Sequence, residues 1–262
     1  MKNLTSKIGL PIYFDGEEII VDNRFLKIKK VNVFSVKNLK HYYLNPMTVF
    51  PKIIYKTYWL QEIKRLLWKN DAIVKINIIF PEIVGVEYAK TKTIQTKDYP
   101  RILEVVDGQI LVIMHPKQID TIFSDDKTLP ILINLNTHQK IVIPPDWYYT
   151  VINISQNPAI IIEIINRKQE INHFYKDKKG APFYAILRNN NLEIVKNSMY
   201  KNVRKYAKLN ILKLSKKLYV APKTAIIKQF LRKSDTFTWF FDKTVFDWTE
   251  LYSNYLDDII SI

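Results

Sequence analysis

The chain has 262 residues, of which 47% are hydrophobic and 13% aromatic; that is enough apolar area for a packed core and excludes a disordered polar chain. Cysteine is absent and histidine occurs four times, which removes disulfides, thiolate nucleophiles and cysteine-based metal sites and leaves few donors for any other metal centre. The formal net charge of +15 creates a field that attracts nucleic acid, anionic lipid or phosphorylated ligands, or it follows from the Lys-, Ile- and Asn-heavy composition that an AT-rich genome imposes. No apolar run reaches the roughly 18 to 20 residues that span a bilayer, and MKNLTSKIGLPIYF has no apolar segment ending in small residues. The expected location is therefore cytoplasmic, or the interior of an organelle, without secretion and without a membrane partner.

Residues 1–70 read as an irregular arm with short strands at Ile19–Val21, Leu26–Val33 and Ile53–Tyr58. The stretch Trp59–Trp68 then sets apolar residues at helical spacing, and Asn70-Asp71 ends the predicted helix. From residue 71 to 195 the period changes. AIVKINIIF, RILEVVDGQILVIM, LPILINLN, KIVIPP, YYTVINI and AIIIEIIN are short β-branched runs between Pro, Gly, Asn and Asp, the pattern of an antiparallel barrel or sandwich. Asp107-Gly108, between two apolar runs, reads as a type I′ hairpin turn. Residues 196–262 form a basic and aromatic extension with a predicted helix around Ala225–Leu231.

Two spaced patterns resemble the paired cupin motifs. In the first, Gly108 follows Arg101 at the spacing that separates the motif's glutamate from its closing glycine, which puts the two histidine positions at Ile94 and Thr96. In the second, His138 stands at the leading glycine, followed by Pro144-Pro145-Asp146, then Tyr149 in place of histidine, then Asn153. The flanks narrow the resemblance. KTIQTKDYPRILEVVDGQ, VIPPDWYYTVIN, KGAPFYAILRNNNLEIVKNSMYKNV and the opening GLPIYFDGEEIIV are similar, in order and spacing, to segments of the cupin-type glucose-6-phosphate isomerase family over most of residues 9–206. The expected fold is all-β: a cupin (double-stranded β-helix or jelly-roll) barrel with an N-terminal arm and a C-terminal helical, basic extension.

The resemblance implies a divalent metal, held by three histidines and a glutamate, that polarises an open-chain sugar phosphate while hydrogen moves between C1 and C2. Carried over by position, those ligands become Ile94, Thr96, Arg101 and Tyr149. An alkyl group, an alcohol, a guanidinium and a phenol are poor or impossible ligands, so no cofactor is expected. Arg101 carries two readings: it holds a phosphate, carboxylate or sugar phosphate in a metal-free pocket, or it faces solvent or a partner while Ile94 and Tyr149 pack the interior. Thr91 matches a family threonine that contacts substrate phosphate, and His173 with Tyr175 matches a pocket-lining pair. His173 is the one candidate catalytic proton carrier, against its reading as an ordinary surface histidine. His138 is given a structural role.

From Lys196 to Lys233 there are twelve Lys or Arg and no Asp or Glu, with Tyr200, Tyr206, Tyr219 and Phe230 interleaved. The patch Lys201, Arg204, Lys205, Lys208, Lys213, Lys216 and Lys217 suits RNA or a ribonucleoprotein, an acidic protein partner, or plain solvation. The last segment, rich in Trp, Phe and Tyr, either finishes the core or anchors an interface such as a homodimer's. Two function classes follow: a catalytically degenerate family member with a binding or structural role, or a working isomerase that uses a metal-free or rebuilt site with Thr91, His173 and Tyr175 on the substrate.

Overall fold

The computed structural model describes residues 1–62, 72–117, 119, 129–169, 171–172, 178–232 and 234–261. Its centre is a pair of sheets built from β1 (Leu26–Phe34), β2 (Tyr55–Glu62), β3 (Ala72–Ile79), β4 (Ile94–Thr96), β5 (Arg101–Asp107), β6 (Gln109–His115), β7 (Ile131–Asn136), β8 (Lys140–Ile143), β9 (Tyr148–Asn153) and β10 (Ala159–Asn166). Later in the chain come β11 (Ile171–Asn172), β12 (Phe183–Arg188), β13 (Asn191–Lys196), β14 (Lys205–Leu209) and β15 (Leu256–Ser261). One sheet has the order β8-β5-β10-β3-β2-β1, the other β11-β4-β9-β6-β7-β14-β15. Taken from β3 to β10, the chain deals its strands between the sheets as β3-β10-β5-β8 against β4-β9-β6-β7. That is the strand order of a jelly roll, and the fold is a cupin β-barrel.

β-branched content explains why these runs are strands, and cover on both faces explains why they do not alternate with polar residues. Every residue of β10 is buried, as is every residue of β5 except Asp107. Their inner face meets the opposite sheet. Their outer face lies under the C-terminal extension, whose longest helices are α1 (Ile211–Lys217), α2 (Ile226–Arg232) and α3 (Trp248–Ser253). Leu214, Leu218, Ile226, Ile227, Phe237, Trp239, Phe240, Trp248 and Tyr252 all belong to the main core, at about 1.5–3 kcal/mol of burial free energy for each large side chain. Polar contacts fix the docking: Glu104 on β5 accepts the Ile226 amide at 2.8 Å and pairs with Lys140 at 3.0 Å, and the Tyr252 hydroxyl donates to the Val142 carbonyl. Trp239, Phe240, Trp248 and Tyr252 of this aromatic segment complete the core.

Three expectations change. The N-terminal strands are found at Ile19–Val21, Leu26–Phe34 and Tyr55–Glu62, but β1 and β2 are not an arm beside the barrel; they widen one of its sheets. The predicted helix Trp59–Trp68 is strand at its start, because β2 keeps its register through Trp59↔Lys75 and Leu60↔Val74; residues 63–71 lie outside the described residues. Asp107-Gly108 is not a hairpin. β5 pairs with β8 and β10, and β6 with β7 and β9, so the dipeptide is the corner where the chain crosses between sheets. Glycine is still required there: φ is +85°, and an added Cβ would lie 3.1 Å from Ala159 Cα.

The second cupin motif keeps its geometry without its glycines. His138 has φ +73° and Asp146 φ +62°, the left-handed conformation that glycine adopts most readily. Asn153 donates through Nδ2 to the Ile79 and Asn157 carbonyls at 2.8 and 2.9 Å, tying the end of β9 across to the other sheet.

Candidate functional site

Strand register assembles the site. Trp59, Lys75, Glu163 and Leu103 are successive partners across β2, β3, β10 and β5, and Thr57, Asn77 and Ile161 form the neighbouring row. From the opposite sheet come Tyr149 and Ile94, paired to each other. These residues line a cavity of about 160 Å³ whose polar walls include Thr57, Lys75, Asn77, Thr91, Lys92 and Glu163.

Arg101 is wholly buried. Its Nη1 donates to Glu163 Oε1 at 2.5 Å and to the Tyr149 hydroxyl at 2.7 Å, and that hydroxyl donates to the same carboxylate oxygen at 2.7 Å. Arg101 Nε donates to Gln169 Oε1 at 2.8 Å. The other carboxylate oxygen of Glu163 accepts from Asn77 Nδ2 at 3.1 Å, and Asn77 Oδ1 accepts from Thr57 Oγ1 at 2.7 Å. Burial works to raise the Glu163 pKa, but the charges of Lys75 and Arg101, with hydrogen bonds from Tyr149 and Asn77, outweigh it and hold the carboxyl at about 2. Tyr149 is driven well above the ordinary phenol range, chiefly by burial. Arg101 is thus neither exposed nor at a partner surface, and its Nε and Nη1 donors are directed to Gln169, Glu163 and Tyr149.

Lys75 is different. It is 4% exposed, its Nζ sits 4.0 Å from the Trp59 ring centroid, and among the described residues it has no hydrogen-bond acceptor. Burial pulls its ammonium down to about 8, with Glu163 opposing and Arg101 assisting. Lys92, also on the cavity, lies over Phe34 at 4.9 Å.

Of the four positions matching metal ligands, Ile94 presents an alkyl group to the cavity. Thr96 is turned away, its hydroxyl donating to the carbonyls of Pro144 and Trp147 at 2.5 and 3.1 Å. Arg101 and Tyr149 meet in the cluster around Glu163. Thr91 does line the cavity, with Oγ1 accepting from the Val151 amide at 3.1 Å and donating to the Lys92 carbonyl at 3.1 Å. His173 and Tyr175 lie outside the described residues. Among the described residues there is no group of three or more His, Cys, Asp or Glu side chains placed to hold a metal ion. Sequence reasoning missed Lys75, Asn77 and Glu163, although Lys75 is the one charge in AIVKINIIF and Glu163 the one charge in AIIIEIIN.

The basic residues Lys201, Arg204, Lys205, Lys208, Lys213, Lys216 and Lys217 are all exposed, with Lys208 3.8 Å from Asp258. The aromatics between them are not a stacking platform. Tyr200 is buried, Tyr206 packs edge-on to Phe183, and Phe230 stacks on Phe237 at 4.4 Å; of the four only Tyr219 is exposed, at 70%. No helix is long and apolar enough to cross a membrane among the described residues.

Among solved structures, the chain is similar to the coconut allergen cocosin at 13% identity, covering 56% of this chain and 35% of that one with a TM-score of 0.38. It is also similar to hazelnut (Corylus avellana) vicilin at 16% identity, covering 47% and 32% with a TM-score of 0.36, and to a Lactobacillus farciminis oxalate decarboxylase at 17% identity, covering 47% and 32% with a TM-score of 0.35. The chain thus spans about a third of the length of each of these proteins. No curated protein matches. The family described as Glucose-6-phosphate isomerase (GPI) matches residues 54–203, more than half of the sequence and the whole of the barrel from β3 to β10: this chain belongs to the glucose-6-phosphate isomerase family.

Proposed function

We propose that this glucose-6-phosphate isomerase-family cupin is catalytically degenerate: it does not perform the metal-dependent isomerisation and serves as a binding or structural protein, its barrel retained as a scaffold around a small polar cavity. The observation that carries this reading is the Arg101–Glu163–Tyr149 cluster. A divalent cation in the barrel needs lone pairs directed at it, and the ligand-position residues offer an alkyl chain, a hydroxyl donating elsewhere, a permanent cation and a phenol held protonated. The donor set does not fit the ion. A guanidinium repels a divalent cation while it stabilises a carboxylate, and Glu163, the one acidic side chain in the cluster, is bonded to Arg101, Tyr149 and Asn77.

The test is metal content of the purified protein together with glucose 6-phosphate to fructose 6-phosphate turnover, with and without added divalent ions. Turnover at background in every condition is expected. Metal-stimulated turnover of the intact chain would overturn the reading and favour a working isomerase.

A further inference from the structure

A lysine that is largely desolvated and has no acceptor on the protein is more easily deprotonated than one at the surface. Lys75 is 4% exposed and lines the cavity, and the face of Trp59 at 4.0 Å offers a cation electrostatic attraction but no lone pair. Its nearest opposite charge, Glu163, already accepts bonds from Arg101, Tyr149 and Asn77. Arg101 adds a second positive charge to the same cluster. A lysine that is desolvated and set beside another cation is an activated amine. The cavity that Lys75 lines also borders Asn32 and Phe34 of the edge strand β1, both partly exposed, which gives small molecules a way in.

We propose that Lys75 is a nucleophilic amine that captures small open-chain aldehydes or hydroxyketones as an imine inside the barrel. The neutral Nζ adds to the carbonyl carbon, forming the C–N bond and opening the C=O bond; the proton leaving nitrogen goes to the oxygen, giving a carbinolamine. The hydroxyl then leaves as water, taking the remaining N–H proton, and C=N forms. No oxidant or reductant is consumed. One further proton makes the iminium, so charge is conserved overall: ammonium plus carbonyl gives iminium plus water. The positive charge is kept, and it still faces the carboxylate of Glu163. Size limits the substrate. A cavity of about 160 Å³ is comparable to one that holds benzene, and a hexose phosphate has more than twice as many non-hydrogen atoms. Two- to four-carbon carbonyl compounds fit. This activity does not depend on whether isomerisation has been lost.

An amine titrating at about 8 is roughly one-fifth neutral at pH 7.4, against about one part in a thousand for an exposed lysine. The experiment treats the intact folded chain with limiting glycolaldehyde and cyanoborohydride and maps alkylated lysines by peptide mass spectrometry. Labelling of Lys75 at about tenfold or more the rate of exposed Lys27 and Lys29 is expected, with a pH profile whose midpoint lies near 8, and with loss of that label alone in Lys75→Arg. Labelling no faster than Lys27 and Lys29, or only after unfolding, overturns the proposal. The wild-type map decides this even where the variant folds poorly. Isomerase turnover is measured separately, so failure of one reading leaves the other standing.

Discussion

Glu163→Gln tests the balance of charge at the centre of the barrel. The carboxylate faces two buried cations, Lys75 and Arg101, and the amide keeps its shape while removing its charge. Breaking a buried ion pair by deleting one partner costs about 3–5 kcal/mol because the survivor is left uncompensated. The depressed acidity gives the same order: a carboxyl moved from about 4.3 to about 2 is worth roughly 3 kcal/mol in the folded state. For a chain of this size, a loss of that order lowers Tm by about 10 °C. Arg101→Met is the informative comparison. It removes one cation but leaves Lys75 opposite Glu163, so no charge is orphaned, and its cost should be smaller, about 2 kcal/mol for lost hydrogen bonds to Glu163, Tyr149 and Gln169. Urea unfolding of both variants, with the slope held constant, measures the difference. Equal destabilisation by the two, or a Glu163→Gln effect within the roughly 0.5 kcal/mol typical of surface changes, would refute the charge count.

Acid should have a related effect. Glu163 titrates lower in the folded chain than unfolded, so its contribution is complete above about pH 5 and lost as pH falls toward 2; Glu163→Gln should flatten stability over that window, as read by thermal melting in a pH series. Glu104→Ala removes the acceptor for the Ile226 amide and the counter-charge of Lys140, and should undock the C-terminal extension, seen as faster tryptic cleavage within 211–232 and a loss of about 3 kcal/mol. Gly108→Ala forces a side chain into φ +85° and against Ala159 Cα, costing about 1–3 kcal/mol in denaturant unfolding. Fluorescence anisotropy with single-stranded RNA separates phosphate contact by the basic patch from plain solvation: contact gives steeply salt-dependent binding, solvation gives none. In the contact case, replacing Lys213, Lys216 and Lys217 by alanine reduces the slope of log affinity against log salt by about 2, and Tyr219→Ala, which removes the exposed member of the four aromatics, changes affinity by less than about 1 kcal/mol.

The barrel was legible because its signals are local. β-branched runs between turn residues marked most of the strands, and the glycine at 108 and asparagine at 153 kept cupin spacing where the metal ligands did not. The errors share one cause: a short window does not say what pairs with what. VVDGQILV has the residues of a hairpin, yet positive φ at Gly108 serves equally at a corner between sheets, and only the register of β5 with β10 and of β6 with β9 separates the two. Trp59 and Leu60 fit the first turn of a helix, but pairing with Lys75 and Val74 across β3 makes them strand. The site was half legible. Arg101 and Tyr149 were found by position within a motif, while Glu163 and Lys75 belong to strands remote in sequence. Their signal was a single charge within a continuous apolar run, which a central strand tolerates only when that charge meets a partner or lines a cavity.

At the centre of the barrel Arg101 and Lys75 are opposed by Glu163, which leaves this cluster of three at about +1 while Lys75 is protonated. The same sum explains the asymmetry expected between Glu163→Gln and Arg101→Met: the first raises the interior to about +2, and the second brings it to neutrality.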